Sequence, residues 1–194
     1  MIRNLLSGIR QAGMTSNTFL VDGGRPALVD VGSNFDVVAA VTEHVETVDA
    51  VVLTHTHRDH IGNLPDVTEA FGADVWGYDG THDAVDHALD DGDTVQLGDH
   101  DYEVIYTPGH KDDHICLYAP EPGVLFAGDL VFANGGFGRT DLAEGDRALL
   151  VESIERLLKR TDEITELHTG HGPSVSTNPH HDVELALQAA RMGA

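Results

Sequence analysis

Short apolar runs separated by Gly, Asp and Pro turns dominate the chain, with a few helical stretches between them. Thr18–Val21 and Ala27–Val31 read as a strand pair turned at Asp22-Gly23-Gly24, and Phe35–Val45 as a helix with Asn34 as its cap. Ala50–Thr54 and Asp74–Gly77 read as strands, and Thr81–Leu89 as an acidic helix. Four more strand-like runs follow: Thr94–Leu97, Tyr102–Tyr106, Ile115–Tyr118 and Val124–Ala127. Asp146–Arg160 is the clearest amphipathic helix, with Leu149, Leu150, Ile154, Leu157 and Leu158 on one face. Ile164–His168 is a strand and Val183–Met192 a closing helix. Two β-rich halves, each closed by helices, predict an α+β architecture, a four-layer αββα sandwich, as a single domain over residues 1–194.

The charge balance narrows the setting. The chain has 33 acidic residues against 11 basic ones, a formal net charge of −22, and lysine occurs only at Lys111 and Lys159. Such a surface repels itself at low salt, which points to a high-salt cytoplasm such as that of a halophile. Phosphate-backbone binding wants clustered Lys and Arg, and none is present, so no nucleic-acid partner is expected. Cys116 stands alone inside Ile115-Cys116-Leu117-Tyr118, which excludes an intrachain disulfide and reads as a buried thiol. The first residues lack the apolar core of a signal peptide, and no run approaches a membrane span, so a cytoplasmic protein is expected.

The chemistry starts after Ala50–Thr54. Residues two apart on an extended backbone point the same way, so His55 and His57 of Thr54-His55-Thr56-His57-Arg58-Asp59-His60 can share one metal. Asp59 and His60 follow where the chain turns. Four ligand-type residues in six positions would be costly to bunch together without a partner. His110 in Thr107-Pro108-Gly109-His110, Asp129 after Ala127-Gly128 and His171 in Thr169-Gly170-His171-Gly172-Pro173 each follow a strand-like run. Each alone is ordinary turn chemistry. Together they can converge on one edge. Imidazoles and carboxylates without thiolate suit Zn²⁺, and also Fe or Mn.

HxHxDH, TPGH, GD and GHG in this order resemble the metallo-β-lactamase superfamily, from the strand ending at Asp30 to His171. The resemblance implies two divalent ions. His55, His57 and His110 would hold the first, Asp59, His60 and His171 the second, and Asp129 would bridge them. A shared hydroxide would attack a carbonyl carbon, with Asp59 orienting it. Asp30 resembles the family's acid that fixes a ligand histidine, and a strand-end turn residue is the other reading. Gly138-Arg139-Thr140-Asp141-Leu142 is similar to the corresponding segment of glyoxalase II-like hydrolases and persulfide dioxygenases, both acting on thiol conjugates. Arg139 would meet the thiol moiety or, alternatively, pair with a carboxylate such as Asp141.

Two features depart from glyoxalase II proper. Only 23 residues follow His171, so its helical C-terminal domain is not expected, and Asp112-Asp113-His114 differs from the usual small-residue turn. His114 reads as a residue behind the ligands or at the surface. His44, His82, His87, His100, His168, His180 and His181 read as surface or structural. The leading expectation is a metal-dependent thioester hydrolase acting on an acylated low-molecular-weight thiol. An iron-dependent persulfide dioxygenase, a phosphodiester or RNA hydrolase of the same fold, and a non-catalytic binding module are the alternatives.

Overall fold

The structure is a computed structural model that describes residues 1–8, 13–78 and 82–192. The chain divides into two compact units, Met1–Leu89 with Val95–Asp101, and Asp90–Thr94 with Tyr102–Ala194. No helix among the described residues is long and apolar enough to cross a membrane.

In the first unit, strands β1 (Ile2–Asn4), β2 (Phe19–Val21), β3 (Ala27–Val29), β4 (Ala50–Val52), β5 (Asp74–Tyr78) and β6 (His87–Leu89) form one sheet in chain order. The first three strands are antiparallel and β3 to β6 run parallel. β3 and β4 are buried along their whole length, which is why they read as unbroken apolar runs rather than alternating ones. Helices α1 (Val37–Thr42), α2 (Arg58–Ile61) and α3 (Leu64–Phe71) complete the unit. Leu28, Val51 and Val75 from the sheet share one core with Val37, Val41 and Val67 from the helices.

Two expectations fail here. Asp36, not Asn34, caps α1, accepting from the Ala39 N–H at 2.9 Å. Asn34 instead adopts a left-handed turn conformation (φ 61°), which Asn tolerates, and its amide donates to the Met14 carbonyl. The helix expected over Thr81–Leu89 is absent from its described part, since Thr81 lies outside the described residues. His87–Leu89 pairs in parallel with Trp76–Tyr78, and the Asp86 carboxylate accepts from the Val75 N–H at 2.9 Å. Tertiary pairing outweighs a weak local helical preference.

The second sheet has the order β13 (Glu166–Thr169), β10 (Val124–Gly128), β9 (Ile115–Ala119), β8 (His100–Tyr106), β7 (Thr94–Leu97). A small ribbon of β11 (Val131–Phe132) and β12 (Gly136–Phe137) follows β10. Asp146 caps the long helix α4 (Arg147–Arg160), accepting from the N–H groups of Ala148 and Leu149. Of the expected apolar face, Leu150, Ile154 and Leu157 are buried, whereas Leu149 is 41% exposed. Helix α5 (Pro179–Met192) packs with them through Val183, Ala186 and Ala190.

Candidate metal centre

In the first unit the parallel pairing of β3 with β4 sets the geometry. Val29 lies opposite Val52, so the residues just beyond the two strand ends emerge side by side. Asp30 (φ 55°) turns there, anchored by its N–H to the Val52 carbonyl. Its buried carboxylate accepts three bonds, each 2.8 Å long: from the Thr54 N–H, the Thr54 hydroxyl and His60 Nδ1. This fixes tautomers. With its proton given to Asp30, the Thr54 hydroxyl can only accept from His55 Nδ1, 3.2 Å away. His55 and His60 therefore carry their protons on Nδ1 and keep Nε2 lone pairs for a ligand.

His55 Nε2 faces His57 Nδ1 at 3.0 Å, and the His55 and His60 ring centroids lie 3.9 Å apart. Two nitrogens bound to one tetrahedral ion would lie roughly 3.3 Å apart, so the spacing fits shared coordination. His57 ends the extended segment and α2 begins at Arg58. Within α2, Asp59 is pinned by its carbonyl, which accepts from the Ser16 N–H at 3.0 Å.

In the second unit the parallel pair of β10 and β13 does the same work. A register shift between Phe126 and Gly128 brings Gly128 opposite Thr169, and Gly170 donates to the Gly128 carbonyl at 2.7 Å. Asp129 and His171 thus leave neighbouring strand ends together. His110 Nε2 and His171 Nε2 each lie 3.4 Å from the same oxygen, Asp129 Oδ2.

His110 follows Gly109, whose φ of 129° suits glycine, and a Cβ there would collide with the Leu150 backbone. His110 Nδ1 donates to the Arg139 carbonyl at 2.8 Å, leaving Nε2 with its lone pair. Gly138 lets that carbonyl come close, because a Cβ at Gly138 would collide with the Asp129 carbonyl. The GRTD segment therefore contributes a backbone acceptor that the sequence did not announce.

His114 was the least legible residue. It is fully buried, its Nε2 accepts from the Asp129 N–H at 3.0 Å, and its Nδ1 bonds the Thr107 hydroxyl at 2.8 Å. Only its place seven residues after Thr107, across the β8–β9 turn, hinted at this. The Arg139 guanidinium forms a bidentate pair with Asp141 at 2.8 and 2.7 Å, so of its two expected roles the ion pair is formed. That pair draws the Asp141 carboxyl down to about 2. Lys111 is buried against Asp112, Asp113 and Glu144. Burial alone would lower its pKa, but the carboxylates outweigh it and raise the pKa above its ordinary value. Burial pushes the Cys116 thiol up to about 12, which makes it inert rather than nucleophilic.

The candidate donors in both halves are imidazoles and carboxylates, and in His55, His60 and His110 a hydrogen bond on the far side of the ring aims the Nε2 lone pair. This suits a borderline divalent ion such as zinc, iron or manganese.

The chain is similar in sequence and fold to known proteins. The chain is 35% identical over 152 residues to the hydroxyacylglutathione hydrolase of Hydrogenovibrio crunogenus, covering 77% of this chain and 54% of that protein. It spans about half the length of the curated relatives it matches. Among solved structures, TTHA1623 in a di-iron-bound form superposes with a TM-score of 0.75 at 28% identity, covering 93% of this chain and 96% of that one. ETHE1 from Myxococcus xanthus superposes with a TM-score of 0.76 at 24% identity, covering 98% and 90%, a likeness of fold. The expected α+β class is that of these structures. A family-wide sequence description, "Metallo-beta-lactamase superfamily", matches residues 11–171, a span that contains the candidate ligand motifs, and the chain belongs to this superfamily.

Proposed function

We propose that the chain is a metal-dependent thioester hydrolase of glyoxalase II type, acting on an acylated low-molecular-weight thiol. In this reading His55, His57 and His110 would hold one divalent ion, Asp59, His60 and His171 would hold a second, and Asp129 would serve both. The observation that carries it is Asp129 Oδ2, with two imidazole Nε2 atoms each 3.4 Å away. The name of the 35% identical relative supports the choice of substrate class. Zinc is the metal we favour, with iron and manganese compatible with the same donors.

Divalent ions bound there would supply Lewis acidity, lowering the pKa of a water and polarising the thioester carbonyl. The chain's own residues do the rest. Asp30 and the Arg139 carbonyl hold the protons of His60 and His110 on Nδ1, so that Nε2 of each is the ligand atom. The Asp59 carboxylate orients the attacking water and takes its proton on a side-chain oxygen. His114 holds the backbone of Asp129 from behind. Water's oxygen adds to the carbonyl carbon, the C–S bond breaks, and the proton held on Asp59 passes to the leaving sulfur, so that a carboxylic acid and a free thiol leave. For Arg139 to contact substrate, its guanidinium would have to exchange Asp141 for a substrate carboxylate.

We also read the net charge of −22 as adaptation to a salt-rich cytoplasm. Elemental analysis tests the metal assignment. Two ions per chain are expected, with Asp59→Ala losing one preferentially. One iron per chain, with His171→Ala changing neither metal content nor activity, contradicts it.

A further inference from the structure

Beside Asp59, within the first unit, lies a cavity of about 480 Å³ lined by Met14, Ser33, Asn34, Arg58, Asp59 and Asn63. Most donors of its wall are already used. The Ser33 hydroxyl donates to the Met14 carbonyl at 2.9 Å, and the Asn34 amide to the same carbonyl and to Ser33 Oγ. The Asn63 amide donates to the Val31 carbonyl at 3.0 Å.

The Arg58 guanidinium differs. It is exposed and forms no hydrogen bond or ion pair with any described residue. Other arginines of the chain are committed: Arg139 to Asp141, Arg160 to Asp91 and Glu103, Arg191 to Glu155, and Arg147 and Arg156 to backbone carbonyls. Arg25 likewise donates to the Gln96 carbonyl, and Arg3, which also has no carboxylate, buries its Nε; Arg58 combines exposure with the lack of any such partner among the described residues. Its root is nevertheless fixed. Ser16 N–H holds the Asp59 carbonyl and Val31 N–H holds the His60 carbonyl, both at 3.0 Å, so the backbone on its C-terminal side is pinned. A planar fork on a pinned root, opening on a cavity beside a proposed ligand, suits a bidentate anionic oxygen pair.

We propose that Arg58 is the anion-binding residue of the substrate pocket, holding a carboxylate or phosphate on the thiol half of the substrate. This rests on the thioester hydrolase reading above. The thiol half is the part that extends outward, since the acyl carbonyl must sit at the ligands. The field of a chain of net charge −22 opposes the approach of an anionic substrate, and a free cation at the cavity offsets that locally. Arg139, paired with Asp141, offers its fork only by giving up that pair.

The test compares zinc-loaded wild type and Arg58→Ala on three thioesters of one acyl group. S-acyl glutathione carries carboxylates, S-acyl coenzyme A carries phosphates, and S-acyl N-acetylcysteamine is neutral. The substitution should lower kcat/KM for the carboxylate or the phosphate substrate, relative to the neutral one, at least about fivefold and through KM. Which anionic substrate responds names the source of the oxygen pair, and Arg58→Lys should fall between, having charge without the fork. Ratios within about twofold of wild type for both anionic substrates overturn the assignment. Arg58→Gln serves should Arg58→Ala fail to fold. If wild type cleaves none of the three, the thioester reading fails, and calorimetry with S-alkyl glutathione and coenzyme A then judges Arg58 by itself. Binding that Arg58→Ala weakens keeps the anion site, whereas equal binding by both proteins, or none by wild type, removes it.

Discussion

Asp30→Asn probes the hydrogen bonds behind His60 with almost no change of shape. Asn accepts a left-handed backbone as readily as Asp, so the φ of 55° adds no strain. Oδ1 of Asp30 accepts from the Thr54 N–H, and an amide oxygen keeps that bond. The NH₂ group then replaces Oδ2 and faces His60 Nδ1 and the Thr54 hydroxyl, both donors to the native carboxylate. His60 must switch its proton to Nε2, the atom that would bind metal, or leave a buried donor facing a donor. Loss of such an orienting partner lowers metal affinity about 10–100-fold, roughly 1.4–2.7 kcal/mol. The metal-free protein should also lose about 1–3 kcal/mol of stability from the mispaired buried groups. Competition with a chelator of known affinity measures the first effect, and denaturant unfolding of metal-free protein the second. Wild-type metal affinity in Asp30→Asn would refute the tautomer argument, whatever the stability.

Two further outcomes concern the whole chain. With 33 acidic and 11 basic residues, the melting temperature should climb with KCl into the molar range, where screening acts beyond roughly 3 Å, and a flat or falling trend would assign the acidic surface another cause. His168 is buried against Phe126 and bonded to Ser174 Oγ at 2.9 Å, and burial lowers its pKa. A histidine with a depressed native pKa binds its proton mainly on unfolding. Its contribution to stability is therefore full above its unfolded value of ~6.5 and lost as the pH falls from there toward the native pKa. His168→Gln should flatten the decline of stability between about pH 7 and 5, measured by denaturant titration, and an unchanged slope would contradict the linkage.

Some of this was legible in the sequence because the physics is local. β4 and β10 are apolar along their whole length, and the ligand-type residues follow strand ends that turn chemistry marks. The Leu150-Ile154-Leu157 stripe is equally local. What stayed hidden depends on pairing between distant segments. β6 is a strand only because Trp76–Tyr78 lies beside it. The register shift that sets Asp129 beside His171 leaves no mark in composition. His114 looks like any histidine until the Asp129 N–H is found on its Nε2. The Arg139 side chain drew attention in the sequence, whereas its carbonyl is what meets His110.

The central claim is hydrolysis of a thioester at a divalent-metal centre without oxygen chemistry. It is tested most directly by incubating zinc-loaded protein with an S-acyl thiol under strict anaerobiosis and following free thiol. The account predicts stoichiometric release of thiol and carboxylic acid, abolished by chelation and restored by zinc. Oxygen uptake on a persulfide by the iron-loaded protein, with no thioester cleavage under any metal, would contradict it and make the chain an oxygenase on the same fold.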